Sequence, residues 1–349
     1  MNKNKEILQQ IREKFIKKIY ENINIILRNE DVNFLCSFYG SSISGLSIEN
    51  SDIDIMVKIR KNENEINYLN RIMDLIVHKF KKNPELNYIK NIHPIYTASV
   101  PVIKLECDIS SDSYLSSEIN NLIKLYDLTY NNLTKLFFDI TFFEVNNENE
   151  KIPSELMIDY IKECAQTYPQ IFDIIYIMKK FLFNRKLNQS YQGGLSSFSL
   201  FLLILAFIKY FENSYDTPIG SLLIEFLYFY SNFDFYNTVI QPDKNDVNEI
   251  FINSTDFINE KNGIYFKYSI NIVDPITGLN VAKSTFKIEE IKKAFKDGLD
   301  IIYANLYNIK TNNINNNTEN NFIKNDGYNH TSYKNILENF FFSMNKPLQ

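Results

Sequence analysis

The sequence predicts an α+β protein in which a small mixed-sheet domain is inserted into a helical domain. Short runs rich in Ile, Val and Phe fill residues 30–150, and longer apolar segments with helical spacing fill residues 151–307. The 349 residues contain 28 Phe and 23 Tyr but no Trp, so the predicted core is aromatic and aliphatic. Hydrophobic residues make up 45% and charged residues 23%, a balance typical of a folded globular protein.

The first element is an amphipathic helix within residues 1–29. Its apolar side chains recur every three or four positions, which places them on one face. They are Ile7, Ile11, Phe15, Ile19, Ile23 and Ile26. We expect this helix to belong with residues 151–307, so that the sheet domain of residues 30–150 interrupts the helical domain.

Four β-rich runs and one helix come next. The helix is predicted over residues 65–80, and the runs cover residues 33–40, 52–59, 99–109 and 135–145. A polar segment rich in Ser and Asn, near residues 109–134, is predicted to be a solvated insertion in the sheet domain.

After Pro153 the pattern becomes helical. Apolar segments predict helices over residues 155–165, 170–187, 197–211 and 221–232, then a β-hairpin over 262–275 and a helix over 288–307. Eight of the fourteen residues from 308 to 321 are Asn, which predicts a flexible linker. A C-terminal helix is expected after it, within residues 308–349.

Charge, cysteine content and hydropathy exclude several classes of protein. Lys and Arg total 37 against 42 Asp and Glu, a formal net charge of −5, so the chain as a whole is not basic. The cysteines, Cys36, Cys107 and Cys164, lie far apart, which excludes a disulfide scaffold and argues against a zinc site. The longest apolar run, residues 200–208, is too short to span a bilayer. We therefore expect an intracellular soluble protein, cytoplasmic or nuclear, that does not engage a membrane.

The candidate metal-binding and phosphate-binding residues lie in one stretch, FYGSSISGLSIENSDIDIMV. Asp52 and Asp54 are two positions apart on a predicted strand, so both carboxylates point to one face. Two adjacent carboxylates repel unless a cation lies between them, and Mg²⁺ prefers such oxygen ligands. The turn at Gly40 and Ser41 exposes N–H groups and a hydroxyl that can hold a phosphate. The order and spacing resemble the G-S … D-h-D signature of polymerase-β-like nucleotidyltransferases, which requires a third carboxylate on a neighbouring strand.

Two strands offer that third carboxylate. Glu106 and Asp108 alternate with apolar residues in VPVIKLECDI, and they also suit the wet face of an edge strand. Asp139 is a lone acid among aromatic residues in KLFFDITFF. A lone Asp in so apolar a strand is costly unless it is paired or binds a metal. We therefore favour Asp139.

The chain resembles the terminal nucleotidyltransferases that add poly(A) or poly(U) tails, and most of all the RNA-surveillance poly(A) polymerases. The similarity covers about residues 10–307 and rests on motifs that occur in the same order. They are VPVIKL (100–105), FDITF (138–142), KKFLFNRKLNQSYQGGLSSFSL (179–200), PIGSLLIEFLYFY (218–230) and DPITGLNVAKSTF (274–286). The resemblance implies a nucleotidyltransferase palm over residues 30–150, inserted into a helical poly(A)-polymerase-associated and nucleotide-recognition domain.

The resemblance also implies roles for single residues. The catalytic, metal-holding carboxylates match Asp52, Asp54 and Asp139, with Mg²⁺ or Mn²⁺ as the cofactor. The nucleotide-binding roles match Gly40, Ser41, Lys179, Ser197, Phe198 and Asn280. Among these, Lys179 stands at the triphosphate-binding lysine and Ser197 at the phosphate-contacting serine. Phe198 replaces the usual tyrosine, so stacking on the base is retained without the hydroxyl.

The implied function is that of a polynucleotide adenylyltransferase, an enzyme that adds AMP from ATP to RNA 3′ ends without a template and releases pyrophosphate. The loop from Asp274 to Asn280 has the length of the adenylyl-adding members, and Leu279 stands where uridylyl-adding members have a histidine. A terminal uridylyltransferase, or a non-enzymatic RNA-processing subunit with this fold, is the alternative. No RNA-recognition motif is visible in the acidic sequence, so we expect an RNA-binding partner protein.

Overall fold

The computed structural model describes residues 3–319, apart from 49–50, 63–64, 66, 99, 112–133, 148, 212–216 and 261–267. The chain divides into two compact units, residues 1–162 and residues 163–349. Helices and strands occur in both, which confirms the predicted α+β class. Most of the predicted insertion near 109–134, and the C-terminal helix expected beyond the linker, lie outside the described residues.

Unit 1 is a five-stranded mixed sheet with helices. Its elements are α1 (Lys3–Asn29), β1 (Phe34–Phe38), α2 (Ser41–Ser44), β2 (Ile53–Arg60), α3 (Tyr68–Lys82), β3 (Ile89–Ile95), β4 (Val102–Asp108), β5 (Lys135–Val145) and α4 (Pro153–Thr167), which continues into unit 2. The strand order is β1-β2-β5-β4-β3. Strands β2 and β5 run parallel, and the other neighbours are antiparallel.

The apolar face of this sheet forms one core with α1 and α3. Ile19 and Ile23 of α1 are fully buried in the same cluster as Ile55 of β2 and Ile140 of β5. The prediction that the N-terminal helix belongs with residues 151–307 is therefore wrong, because α1 packs on the sheet. Helical periodicity shows that α1 has an apolar face, but it does not show which element covers that face.

Strand β3 has no counterpart in the prediction from sequence. It lies at the edge of the sheet, paired only with β4 among the described strands, and it contains Pro94. Proline is tolerated there because an edge strand leaves one side of its backbone unpaired. The strand is therefore fixed by its antiparallel pairing with β4, which the pattern of residues 89–95 does not display.

Unit 2 is built from apolar helices and a small three-stranded sheet. Its elements are α5 (Gln170–Asn184), α6 (Ser197–Tyr210), α7 (Ile219–Asn232), β6 (Thr238–Ile240), α8 (Val247–Ile250), β7 (Phe251–Asn253), α9 (Ser254–Glu260), β8 (Asn271–Ile272) and α10 (Ile288–Glu319). Aromatic rings join the helices: the ring centroid of Phe226 lies 5.6 Å from that of Phe207 and 5.7 Å from that of Phe295. The predicted aromatic core is present in this unit.

Two predicted elements of unit 2 are matched only in part. Residues 262–267 of the hairpin expected over 262–275 lie outside the described residues, and the rest contains β8, which pairs in parallel with β6 in a sheet of order β7-β6-β8. The last helix was expected to end at residue 307 and be followed by a linker, yet α10 continues to Glu319. Residues 308–319 contain neither Gly nor Pro, and Asn costs only a fraction of 1 kcal/mol in a helix that is already nucleated. Within the described residues, no helix combines the length and apolar character needed to cross a membrane.

Candidate active site

The predicted phosphate-binding turn packs directly on one of the predicted metal ligands. Gly40 has a φ of 67°, and a Cβ built on it would lie 2.2 Å from Oδ2 of Asp54. The backbone N–H of Ser41 points to the same oxygen at 3.4 Å, and the N–H of Tyr39 donates to the Asp54 carbonyl at 3.1 Å. Only glycine satisfies both the backbone conformation and this close approach. The turn therefore fixes the position of the Asp54 carboxylate.

Asp54 lies beside Asp139. The two residues are register partners on the parallel strands β2 and β5, so their side chains leave the same face of the sheet next to each other. Tyr39 reports the same proximity: burial raises the pKa of its hydroxyl well above the usual value, and the negative charges of Asp54 and Asp139 raise it further. The Tyr39 hydroxyl also accepts a hydrogen bond from Thr141 at 2.8 Å. The Tyr39 hydroxyl is therefore uncharged at physiological pH, and it lines the site.

A lysine completes this group of side chains. Lys104 on β4 is the register partner of Asp139, and its Nζ donates to Oδ1 at 2.7 Å and to Oδ2 at 2.5 Å. The prediction from sequence did not include Lys104. The signal was present, since alternation along β4 places Lys104 on the same face as Glu106 and Asp108.

The other predicted acids are exposed or make local contacts. Asp52 is exposed, immediately before β2. Glu106 accepts a hydrogen bond from Asn91 at 2.6 Å, and Asp108 accepts from the N–H and hydroxyl of Ser110 at 3.0 and 2.5 Å. The structure thus brings Asp139, not Glu106 or Asp108, next to Asp54. Across the described residues, no group of three or more His, Cys, Asp or Glu side chains is arranged to hold a metal ion.

The carboxylate oxygens of Asp54 and Asp139 are nevertheless suitable ligands for a hard divalent cation. Asp54 and Asp139 present carboxylate oxygens side by side on a partly exposed face, and Asp52 is two positions from Asp54. Oxygen ligands of this kind are the ones that Mg²⁺ and Mn²⁺ take in proteins. Lys104 supplies the positive charge on Asp139 in this structure.

In unit 2, three predicted nucleotide-binding residues lie on two helices. Lys179 is buried in α5, and Ser197 is the first residue of α6. The N-cap of α6 is Ser196, whose hydroxyl accepts from the N–H of Ser199 at 3.0 Å. Phe198 is buried and stacks on Phe201, with ring centroids 6.2 Å apart. Most of the Phe198 side chain is therefore already covered.

Asn280 is bonded within its own loop. It is buried, and its Oδ1 accepts from the N–H groups of Ile272 and Ala282 at 3.2 and 2.9 Å. Its Nδ2 donates to the carbonyl of Ile270 at 3.0 Å. These contacts give Asn280 a role in shaping the loop, whereas the sequence predicted a contact with the nucleotide. By contrast, its neighbour Leu279 is 65% exposed.

The Gly40 turn leads to a first testable prediction. Gly40→Ala is expected to displace the Asp54 carboxylate and to lower the nucleotide addition that the sequence resemblance implies by about 100-fold, because the new methyl group meets Oδ2 and the positive φ is strained. The measurement is steady-state primer extension, with circular dichroism to show that the variant is folded. Gly220→Ala is the matched control, since a Cβ there meets nothing within 4 Å. Full activity of Gly40→Ala would contradict the role of the turn.

Comparison with known proteins agrees with this geometry. Residues 2–128 match the family described as "Poly(A) RNA polymerase, mitochondrial-like, central palm domain", and residues 218–280 match the one described as "Cid1 family poly A polymerase". A nucleotidyltransferase palm combined with a poly(A)-polymerase-associated domain is the class of protein that the fold and these matches define. These matches confirm the resemblance to poly(A) polymerase-type nucleotidyltransferases seen in the sequence.

Individual relatives are similar to this chain at low identity. The chain is 25% identical to Poly(A) RNA polymerase cid14 of Schizosaccharomyces pombe, over 77% of this chain and 34% of the relative. It is 26% identical to Poly(A) RNA polymerase protein 2 of Saccharomyces cerevisiae, over 84% of this chain and 44% of the relative. The chain thus spans less than half the length of these relatives. The solved polymerase core of TRAMP, an RNA surveillance complex, has the same fold, with a TM-score of 0.61 and 23% identity over 86% of this chain and 81% of that one.

Proposed function

We propose that this protein adds AMP from ATP to the 3′ end of RNA without a template and releases pyrophosphate. The observation that carries the proposal is the pairing of Asp54 with Asp139 on adjacent parallel strands, with the Gly40 turn packed on Asp54. The names of the relatives support this choice of reaction, since both curated relatives above are poly(A) RNA polymerases.

The proposed cofactor is Mg²⁺ or Mn²⁺, held by Asp54 and Asp139 with Asp52 as the third ligand. When bound, a pair of such ions supplies Lewis acidity for the attacking 3′-hydroxyl and charge neutralisation for the departing pyrophosphate. The protein then has to position groups rather than form covalent bonds to the substrate. The Gly40 turn holds the Asp54 carboxylate in place, and Tyr39 bounds the site with a hydroxyl that stays protonated.

We further propose that Lys179 and Ser197 contact the phosphates of ATP. A lysine ammonium binds phosphate as a point charge, and a serine in the first turn of a helix presents its hydroxyl beside backbone N–H groups. With a net charge of −5, the chain has little general attraction for RNA. We therefore propose that an RNA-binding partner protein helps to deliver the RNA 3′ end.

Primer extension tests the proposed reaction. The protein is incubated with a labelled single-stranded RNA and each of the four NTPs in turn, with Mg²⁺, with Mn²⁺ or with EDTA. We expect stepwise extension with ATP that requires a divalent ion. Faster extension with UTP would favour the uridylyl-adding alternative, and no extension with any NTP, alone or with a recruiting partner, would favour the non-enzymatic one.

The exposed side chain of Leu279 allows a test of nucleotide choice. Leu279→His is expected to raise the use of UTP relative to ATP by about two- to tenfold, the value of one added hydrogen bond to a uracil carbonyl. The substitution should not disturb packing, since Leu279 is exposed. The measurement is the ratio of kcat/KM for UTP and ATP, and Leu279→Ala, which adds no donor, is the control. An unchanged ratio in Leu279→His would show that this loop does not face the base.

A further inference from the structure

A row of polar side chains crosses the sheet of unit 1 at the level of the proposed metal site. Asp54 on β2 is the register partner of Asp139 on β5, which is in turn the register partner of Lys104 on β4. Register partners in neighbouring strands project from the same face of a sheet. The row therefore contains two negative charges followed by one positive charge.

Asp139 and Lys104 are in close contact. The ammonium of Lys104 donates to both carboxylate oxygens of Asp139, at 2.7 and 2.5 Å. The side chain of Asp139 is 25% exposed and that of Lys104 is 43% exposed, so the pair is reached by solvent and by ions. Hydrogen bonds between charged groups of this kind are stronger than neutral ones.

General stabilisation of the fold is a weak explanation for this ion pair. Pairs with this much exposure contribute little to the stability of a protein. The position of the pair is more informative, because Asp139 stands beside a second carboxylate that repels it. The Lys104 ammonium, bound to Asp139, reduces the repulsion between the two carboxylates. A divalent metal ion bound to Asp139 would have the same effect.

We propose that Lys104 is the internal counter-ion of Asp54 and Asp139, and that it competes with the divalent cation for Asp139. The inference rests on the proposed function, because it assumes that these two carboxylates bind the cation. The Lys104 ammonium would have to leave at least one oxygen of Asp139 for a metal ion to bind there, and it would remain a positively charged neighbour of that ion. Both effects weaken metal binding, so the lysine sets the affinity of the site.

Binding of Mn²⁺ to the full chain, measured by calorimetry or electron paramagnetic resonance without nucleotide or RNA, tests the proposal. Lys104→Met keeps the aliphatic stem and removes the charge, and it is expected to bind Mn²⁺ about tenfold more tightly than the wild type. Lys135→Met is the matched control, since it removes an exposed lysine from β5 at the register partner of Asp108, four positions from Asp139. Its Mn²⁺ affinity should change by less than about twofold.

Thermal unfolding provides a second readout that a purely structural role would not reproduce. In EDTA, Lys104→Met is expected to unfold at a lower temperature than the wild type, because two carboxylates are left side by side without a cation. Saturating Mn²⁺ should close or reverse that difference. A lysine that only packs or pairs would lower the unfolding temperature equally in both conditions. If Lys104→Met does not fold, Lys104→Gln is measured in its place with the same expectations.

Two outcomes would overturn the inference, and they can be told apart. If the wild type binds Mn²⁺, Asp54→Asn loses that binding and the Lys104 variants keep the wild-type affinity, then the competition is wrong while the proposed metal site stands. If the wild type binds no Mn²⁺ that depends on Asp54, the proposed site itself is wrong and the inference fails with it.

Discussion

Asp54→Asn is expected to lower the rate of nucleotide addition by about 100- to 10,000-fold. The substitution keeps the size of the side chain but removes one negative charge and one anionic metal ligand, and metal ions contribute several kcal/mol of transition-state stabilisation. Gly40 packs on this carboxylate, so the substitution changes the group that the turn holds in place. The measurement is kcat/KM for ATP in primer extension, at saturating Mg²⁺.

The control for this prediction is Glu106→Gln. Glu106 is exposed on the same face of the sheet, and its hydrogen bond is with Asn91. Glu106→Gln therefore removes a negative charge without changing Asp54 or Asp139. Its activity should stay within about twofold of the wild type. A tailing rate in Asp54→Asn close to that of Glu106→Gln would rule out the two-carboxylate site.

Asp139→Asn is expected to have an effect as large as that of Asp54→Asn. Asp139 is the acid that the sheet places beside Asp54, whereas Asp108 caps a turn by accepting from Ser110. Asp108→Asn should therefore retain most of the activity, because an Asn side chain can still accept those hydrogen bonds. The two variants are compared by single-turnover extension of an RNA primer, each with its folding checked by circular dichroism.

This comparison also decides which strand provides the third acid. A large loss in Asp108→Asn with normal activity in Asp139→Asn would mean that the catalytic carboxylate lies on β4. Since β4 and β5 are neighbours, such a result would still be compatible with the fold. Such a result would contradict a metal site formed by Asp54 and Asp139.

Local patterns in the sequence were enough to predict most of the secondary structure. Strand β5 covers Lys135–Val145, as its alternating pattern predicted, and α5 begins at Gln170 where its apolar periodicity begins. The same alternation put Asp54 on the wet face of its strand and singled out Asp139 as an acid in an apolar run. These predictions succeeded because the periods of strands and helices are short-range properties of the chain.

Other features depended on which elements meet in space. The edge strand β3 exists because β4 pairs with it, and β8 pairs in parallel with β6. Asn280 looks like a nucleotide contact in the sequence, yet its amide is bonded to the backbone of its own loop. Buried polar groups take the partners that the fold brings to them, and the sequence does not name those partners.

By itself, then, the sequence determined the α+β class and the apolar faces of the helices and strands, and it predicted Asp52, Asp54 and Asp139 as metal ligands. Only the tertiary structure decided that α1 covers the sheet, that Asp139 stands beside Asp54, and that Lys104 holds Asp139. The reason is physical: periodicity fixes the direction of a side chain within one element, whereas its neighbours depend on strand order and register. Those are set by the burial of the whole core, to which residues far apart in the chain contribute together.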